Sequence, residues 1–243
     1  MKMNAAWFAV MCLLVLPLAA QDPSVITMDQ EPHHHLALHN DYVKVFNVEV
    51  SPGDSIVLHR HDQDTIAIAI GEQLVTVGIP GKPDVHQKNA DAQVRLQRSG
   101  YMHSTRVDGD TPYHTVAVEL MHAQTNFHNV CAEILPGQPL NCPSQAEYES
   151  AAYSRQLLIA SKETEVALLR VHPHQTMKLF VGPSPQLLVV LDAASIPTGS
   201  AKEMELLSHP GDLNWNEYGA FGDYRNENDR DRRFIEIIFP RSQ

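Results

Sequence analysis

Residues Pro52-Gly53-Asp54-Ser55-Ile56-Val57-Leu58-His59-Arg60-His61 decide how the chain reads. A Pro-Gly-Asp turn signature leads into an apolar run containing β-branched Ile56 and Val57, which is the pattern of a strand. Side chains on a strand alternate with period 2. His59 and His61 are therefore expected to share one face, where both imidazoles can reach one metal ion.

Outward from this stretch the pattern repeats as short apolar runs: Val43, Val45 and Val48 to Val50; Thr65 to Ile70; Leu74 to Ile79. Gly53, Gly71, Gly78, Pro80-Gly81 and Pro83 separate them. Many short strands with a turn signal roughly every ten residues predict an all-β sandwich or barrel. The preceding residues 21–34 form an arm without clear period. It carries Pro23 and Pro32 and runs into His33-His34-His35, three consecutive histidines that cannot all face one way on a strand and so have little claim to a joint role.

A shift of 121 residues, without a gap, lays the second half on the first. Val45 falls on Val166, Val50 on Val171, Pro52 on Pro173, Ile56 on Met177 and Leu58 on Leu179, while Ile66, Ile68 and Ile70 fall on Leu187, Val189 and Leu191. The chain therefore divides into residues 1–20 as a signal peptide, a β domain over 21–124, a linker over 125–150, and a second, homologous β domain over 151–243. Within the linker, Gln145 to Tyr153 could form one or two helical turns.

Residues 1–20 carry Lys2, an apolar stretch from Ala5 to Leu16, and Pro17-Leu18-Ala19-Ala20 before Gln21, the layout of a secretory signal and short for a membrane span. Cys12 has no lipoprotein cleavage box before it, so a free mature protein, periplasmic or secreted, is expected. The net charge of −11 becomes one unit more negative when Lys2 leaves with the signal, and no basic cluster stands against it, which argues against nucleic acid and anionic lipid as partners. The remaining cysteines, Cys131 and Cys142, read as a disulfide in an oxidising compartment. Redox thiols are the weaker alternative, because the Cys-x-x-Cys spacing is missing.

With strands and repeat in place, the sequence resembles the cupin superfamily, and within it the bicupins. Gly53, five residues, His59-x-His61, Thr65 and Gly71 follow the family's first motif, and Gly100-Tyr101-Met102-His103 its second. The resemblance implies two tandem jelly-roll β-barrels, with His59, His61 and His103 holding a divalent transition metal in the first. Thr65 departs from the family, which places a carboxylate ligand there. Three imidazoles favour iron, manganese, nickel, copper or zinc over magnesium or calcium, and leave positions open for water or substrate. On a regular strand, residues 59, 61, 63 and 65 share a face and Asp62 and Asp64 point away, so Gln63 or water would complete the shell unless a bulge brings Asp64 inward.

Thr65, Ala67 and Ala69 present small side chains to the same lumen, and with Gln63 and Tyr101 they are expected to line a cavity beside the histidines. The second copy has Phe180 for His59, Gly182 for His61 and Gly222 for the third histidine, with Gln186, Leu188 and Val190 on the aligned face, so its lumen should be filled as core. His172-Pro173-His174 imitates the motif but falls on Ser51-Pro52-Gly53, at a turn.

Three readings follow. One is a metal-dependent cupin enzyme, such as a dioxygenase or isomerase, acting on a small organic molecule. The second is a non-catalytic module that binds metal or a small ligand, and the third a purely structural extracellular β protein. Tyr101, Gln63, His114 and Glu119 are near the motifs in sequence, but nothing in the sequence assigns any of them the role of general base. Ile66, Ile68 and Ile70, with Leu187, Val189 and Leu191, need an apolar partner, which pairing of the two domains within the chain would supply. A homodimer is the further expectation.

Overall fold

A computed structural model describes residues 25–126, 128–129, 148–180, 182–194, 209–217 and 221–240. The signal-like residues 1–20 and the pair Cys131 and Cys142 lie outside the described residues.

The first half contributes β1 (Ile26–Thr27), β2 (His34–His39), β3 (Val43–Val50), β4 (Ser55–Arg60), β5 (Asp64–Ala69), β6 (Gln73–Gly78), β7 (Val85–Asn89), β8 (Val94–Gln97), β9 (Met102–Val107) and β10 (Tyr113–Leu120). The second contributes β11 (His128–Asn129), β12 (Tyr148–Glu149), β13 (Tyr153–Ala160), β14 (Glu165–Val171), β15 (Thr176–Phe180), β16 (Gln186–Val190), β17 (Leu213–Asn216), β18 (Phe221–Arg225) and β19 (Arg232–Ile238). Among the described residues the helical content is one 3-10 turn, Met28–Gln30.

In the first half, a sheet ordered β1-β4-β9-β6-β7 faces one ordered β2-β3-β10-β5-β8. The repeat is visible in the second half. There β13-β14-β19-β16-β17 reproduces β2-β3-β10-β5-β8, and β15-β18 reproduces β4-β9. The alignment at 121 residues thus joins strands that occupy the same place in each barrel, and the architecture is two tandem jelly-roll barrels.

Period-2 alternation sorts the side chains of the matched sheets onto two faces. Ile66, Ile68 and Ile70 of the first half and Leu187, Val189 and Leu191 of the second belong to one buried cluster, joined by Val116, Val118, Val166 and Ile235. The two barrels therefore share a core between their large sheets. Each such side chain, once buried, contributes about 1.5–3 kcal/mol. The opposite faces line the lumens. Phe46, Val48, Val50, Ile56 and Val107 pack in the first, and Leu169, Val171, Met177, Leu188, Val190 and Phe234 in the second.

His59 and His61 share a face by regular alternation, but strand β4 is irregular just before them. Against β9 its register shifts between Ile56, opposite Thr105, and His59, opposite His103. The bulge leaves Val57 and Leu58 exposed and lets Ile56 and His59 both enter the lumen, which strict alternation forbids. Strand β15 pairs with β18 without a shift, so Met177 and Leu179 are the residues that pack into the second lumen.

The helical turns expected over Gln145 to Tyr153 are replaced, where the chain is described, by extended structure. Tyr148 and Glu149 form β12, a short strand paired back onto β13, and the rings of Tyr148 and Tyr153 meet at 5.0 Å between centroids. Cross-strand aromatic pairing overrides the helical propensity of the Ala and Glu residues between them.

Candidate metal centre

His59 reaches the lumen from the bulged end of β4, His61 from the residue that follows it, and His103 from β9 directly opposite His59. All three side chains are buried, and one nitrogen of each lies within 4.8 Å of the others. The backbone fixes the approach of His61: its N–H donates to Tyr101 O at 2.9 Å and its carbonyl accepts from Gly100 N at 2.7 Å. Gly100 takes a φ of +82°, the left-handed conformation that glycine adopts at least cost, so the second motif requires a glycine there.

Hydrogen bonding orients each ring. His59 Nδ1 donates to Val57 O at 2.9 Å, and His103 Nδ1 and Thr105 Oγ1 are hydrogen-bonded at 3.2 Å. His61 Nδ1 donates to Thr65 Oγ1 at 3.1 Å, since the Thr65 hydroxyl is itself committed to Gln63 O at 3.1 Å. Every Nε2 is thereby turned inward. That of His59 is buried without any hydrogen-bond partner, and those of His61 and His103 stand 3.0 Å apart. Two imidazole nitrogens bound to one ion at about 2.1 Å have about this separation.

Burial drives the protons off these rings. It pushes His59 down to about 4 and His61 to about 3, with neighbouring imidazoles adding to the fall at His61, and it holds His103 well below the ordinary histidine range. At neutral pH the site presents three neutral imidazoles, each oriented by a hydrogen bond to Nδ1, and these residues fit a divalent transition metal.

A carboxylate does not replace the one that Thr65 lacks within this triad. Asp64 is buried but turned outward, accepting Ser99 N at 2.9 Å and pairing with Arg98 at 3.2 Å. Asp62 pairs with Arg60 at 2.7 Å. Gln63 offers its backbone carbonyl to Thr65. Tyr101 stacks on His103, with centroids 4.9 Å apart, and Ala67 and Ala69 lie on the same strand face as Thr65.

The lumen also holds groups that have no assigned role in the motifs. His34, the middle residue of the histidine triplet, sets its ring 4.8 Å from that of His59, with Nδ1 donating to Glu31 Oε2 at 2.7 Å. Glu31 is 2% exposed and also accepts His33 N and Val57 N, which together pull its carboxyl below the usual range despite burial. Glu119 faces the lumen beside Thr65 across β10 and β5, and burial raises it to about 7. Arg95 enters from β8 opposite Ala67. The spacing Glu31-x-x-His34 and the alternation Val94-Arg95-Leu96-Gln97 were the signals available for these residues.

The second lumen is packed. The ring of Tyr224 lies so close to Gly222 that a Cβ there would meet it at 2.6 Å, so it fills the space above the position aligned with the third histidine. Gln186 donates to Glu236 at 3.0 Å, and Leu188 and Val190 are core. The expected place of Phe180 in this lumen concerns a side chain outside those described. His172 and His174 occupy the turn before β15, where His172 pairs with Glu149 and Asp231 and His174 with Asp229.

No protein-family model and no curated protein sequence matches the chain. Solved structures do. AerE from Microcystis aeruginosa is 10% identical with a TM-score of 0.54, covering 87% of this chain and 99% of that one. A variant of Bacillus subtilis oxalate decarboxylase OxdC is 13% identical with a TM-score of 0.51, covering 88% and 76%. A cupin domain from Bordetella pertussis Tohama I is 21% identical with a TM-score of 0.34, covering 35% and 88%. The strand order, its internal repetition and the likenesses over 87% and 88% of the chain show that it has the two-barrelled cupin fold of these structures.

Proposed function

We propose that the chain is a metal-dependent bicupin enzyme. Its first barrel holds one divalent transition metal on His59, His61 and His103 and acts on a small organic molecule, while the second barrel serves as scaffold. The observation that carries this reading is the convergence of three Nε2 atoms whose opposite nitrogens are all hydrogen-bonded, leaving that of His59 buried and unpartnered. A bound ion would supply Lewis acidity or, for iron, manganese, nickel or copper, dioxygen chemistry. The chain's own part is to keep the imidazoles neutral, to exclude bulk water, and to leave room along Thr65, Ala67 and Ala69. A non-catalytic metal-binding module is the second reading, favoured by the absence of a carboxylate from the triad.

Elemental analysis of untagged protein tests the metal. Wild type should carry about one equivalent of ion, and His59→Ala, His61→Ala and His103→Ala should carry almost none while keeping the β-sheet circular dichroism signal. Equal, negligible metal in all four after reconstitution would sink the reading. Stoichiometric metal without turnover of phenols, keto acids and thiols under oxygen would favour the binding module. The reading includes export to a periplasm or beyond, supported by residues 1–20 alone, and amino-terminal sequencing of the exported chain should begin at Gln21.

A further inference from the structure

Arg95 is a cation in the wrong place for a structural residue. Its neighbours Val94 and Leu96 pack on the core shared by the two barrels, so alternation turns Arg95 and Gln97 into the first lumen. Arg95 has no hydrogen bond and no carboxylate in ion-pair range among the described residues, and its Nε is buried without a partner. Burying an uncompensated charge of this kind is expensive. It is partly desolvated, and the side chains whose fields it feels are the phenols of Tyr101 and Tyr113.

The second barrel is an internal control. Its lumen-facing arginine, Arg155 on β13, is neutralised by Glu236 at 2.7 Å and Glu165 at 3.2 Å. In the first lumen Lys44 is likewise matched, by Asp29 at 2.9 Å. Arg95 has no such match, and it stands opposite the small side chain of Ala67.

We infer that Arg95, with the hydroxyls of Tyr101 and Tyr113, forms an anion subsite in the first lumen, and that the molecule bound there is a small carboxylic acid. The inference rests on the reading of that lumen as the functional site and names the class of its substrate. Three things select a carboxylate. A guanidinium presents a planar fork that matches two carboxylate oxygens. The phenols of Tyr101 and Tyr113 supply neutral hydroxyl donors. A divalent ion on three neutral imidazoles adds positive charge to the same lumen, and the nearby Glu31 is already engaged by His34. A phosphate dianion would call for more cations than the one arginine supplies. Tyr101 stacks on His103, so it joins the anion subsite to the metal ligands, and a ligand held by its carboxylate at Arg95 has its remaining atoms directed along Tyr101 toward the imidazoles.

Calorimetric titration of acetate, pyruvate, succinate and benzoate, with methyl pyruvate and inorganic phosphate as comparisons, tests the subsite. The titrations use metal-reconstituted protein, chelator-treated protein, and the variants Arg95→Gln and Arg95→Lys, each checked for circular dichroism and metal content. At least one carboxylate should bind wild type and should bind Arg95→Gln at least tenfold more weakly, with Arg95→Lys between them and metal content unchanged in both. Methyl pyruvate should bind poorly to all. Carboxylate affinity that survives chelator treatment yet falls in Arg95→Gln upholds the subsite even if the metal reading fails. Equal carboxylate binding by wild type and both variants, tighter binding of phosphate than of every carboxylate, or no carboxylate binding to metal-loaded wild type would overturn it.

Discussion

Thr65 Oγ1 accepts a hydrogen bond from His61 Nδ1 at 3.1 Å and donates its own to Gln63 O, at the position where the family resemblance leads one to expect a carboxylate ligand. The residue thus orients a ligand instead of being one. Thr65→Val keeps the shape and removes the acceptor, leaving His61 Nδ1 buried without a partner. Metal affinity should fall about 10- to 100-fold, the usual cost of losing a group that orients a ligand, with the fold retained. Isothermal titration with zinc checks this, and unchanged affinity would remove Thr65 from the site.

Glu119 gives a pH signature. Its carboxyl is raised from 4.5 to about 7, by burial first and by Asp29 and Asp62 next, against the attraction of Lys44. A raised folded-state value means that the native chain holds this proton after the unfolded chain has released it. Stability is therefore lost as pH rises from about 4.5 to about 7, by up to about 3 kcal/mol. Glu119→Gln removes that loss. Relative to wild type it should be near neutral at pH 4.5 and up to about 3 kcal/mol more stable at pH 8, in urea titrations of chelator-treated protein. A difference that does not grow with pH contradicts the raised value.

Glu31 ties the N-terminal arm across the first barrel, taking His34 and two backbone N–H groups onto one buried carboxylate. Glu31→Ala should cost about 3 kcal/mol, because it strands these donors. Proteolysis should then begin in residues 25–34 in the variant and not in wild type.

Gly222 cannot simply be turned back into a ligand. A Cβ would collide with the Tyr224 ring, whose hydroxyl accepts from Asn214 at 2.8 Å. Gly222→Ala should destabilise by about 1–3 kcal/mol, as overpacking does, and Gly222→His should add no metal to the stoichiometry. A second equivalent of ion in Gly222→His would show that the lumen can open.

The shared core predicts that the barrels melt together. Ile68 and Leu187 are fully buried in the same cluster from opposite halves. Ile68→Ala and Leu187→Ala should each cost about 2–5 kcal/mol and shift one calorimetric transition, with no second peak emerging.

His59 and His61 were legible because their spacing is local, His103 because the family resemblance supplies a second motif, and the repeat because strand periodicity survives the divergence of the side chains. The bulge in β4 was not. The run from Ile56 to His61 carries no mark that alternation breaks at Val57 and Leu58, since the break depends on register with β9, far along the chain. Glu31 and Arg95 escaped, and Glu119 was named without a role, for a similar reason. Their surroundings are made by residues such as Val57, Tyr101 and Thr65 that meet them only after the sheets close. Tyr148 to Tyr153 misled in the other direction, because helix-forming composition yielded to pairing with β13.

The packed lumen of the second barrel bears on what the first can tolerate. Neutral imidazoles away from water, an arginine without a counter-ion and a carboxyl group deprived of solvation are each unfavourable, and a small domain with a marginal core has little margin for them. Among the described residues the second barrel has no histidine triad to accommodate; it fills its interior with Leu169, Val171, Met177, Leu188 and Phe234, and it is fused through a common core to its neighbour. The copy without the triad thereby acts as a stability reservoir, and the strain of a polar interior in the other is carried by the pair.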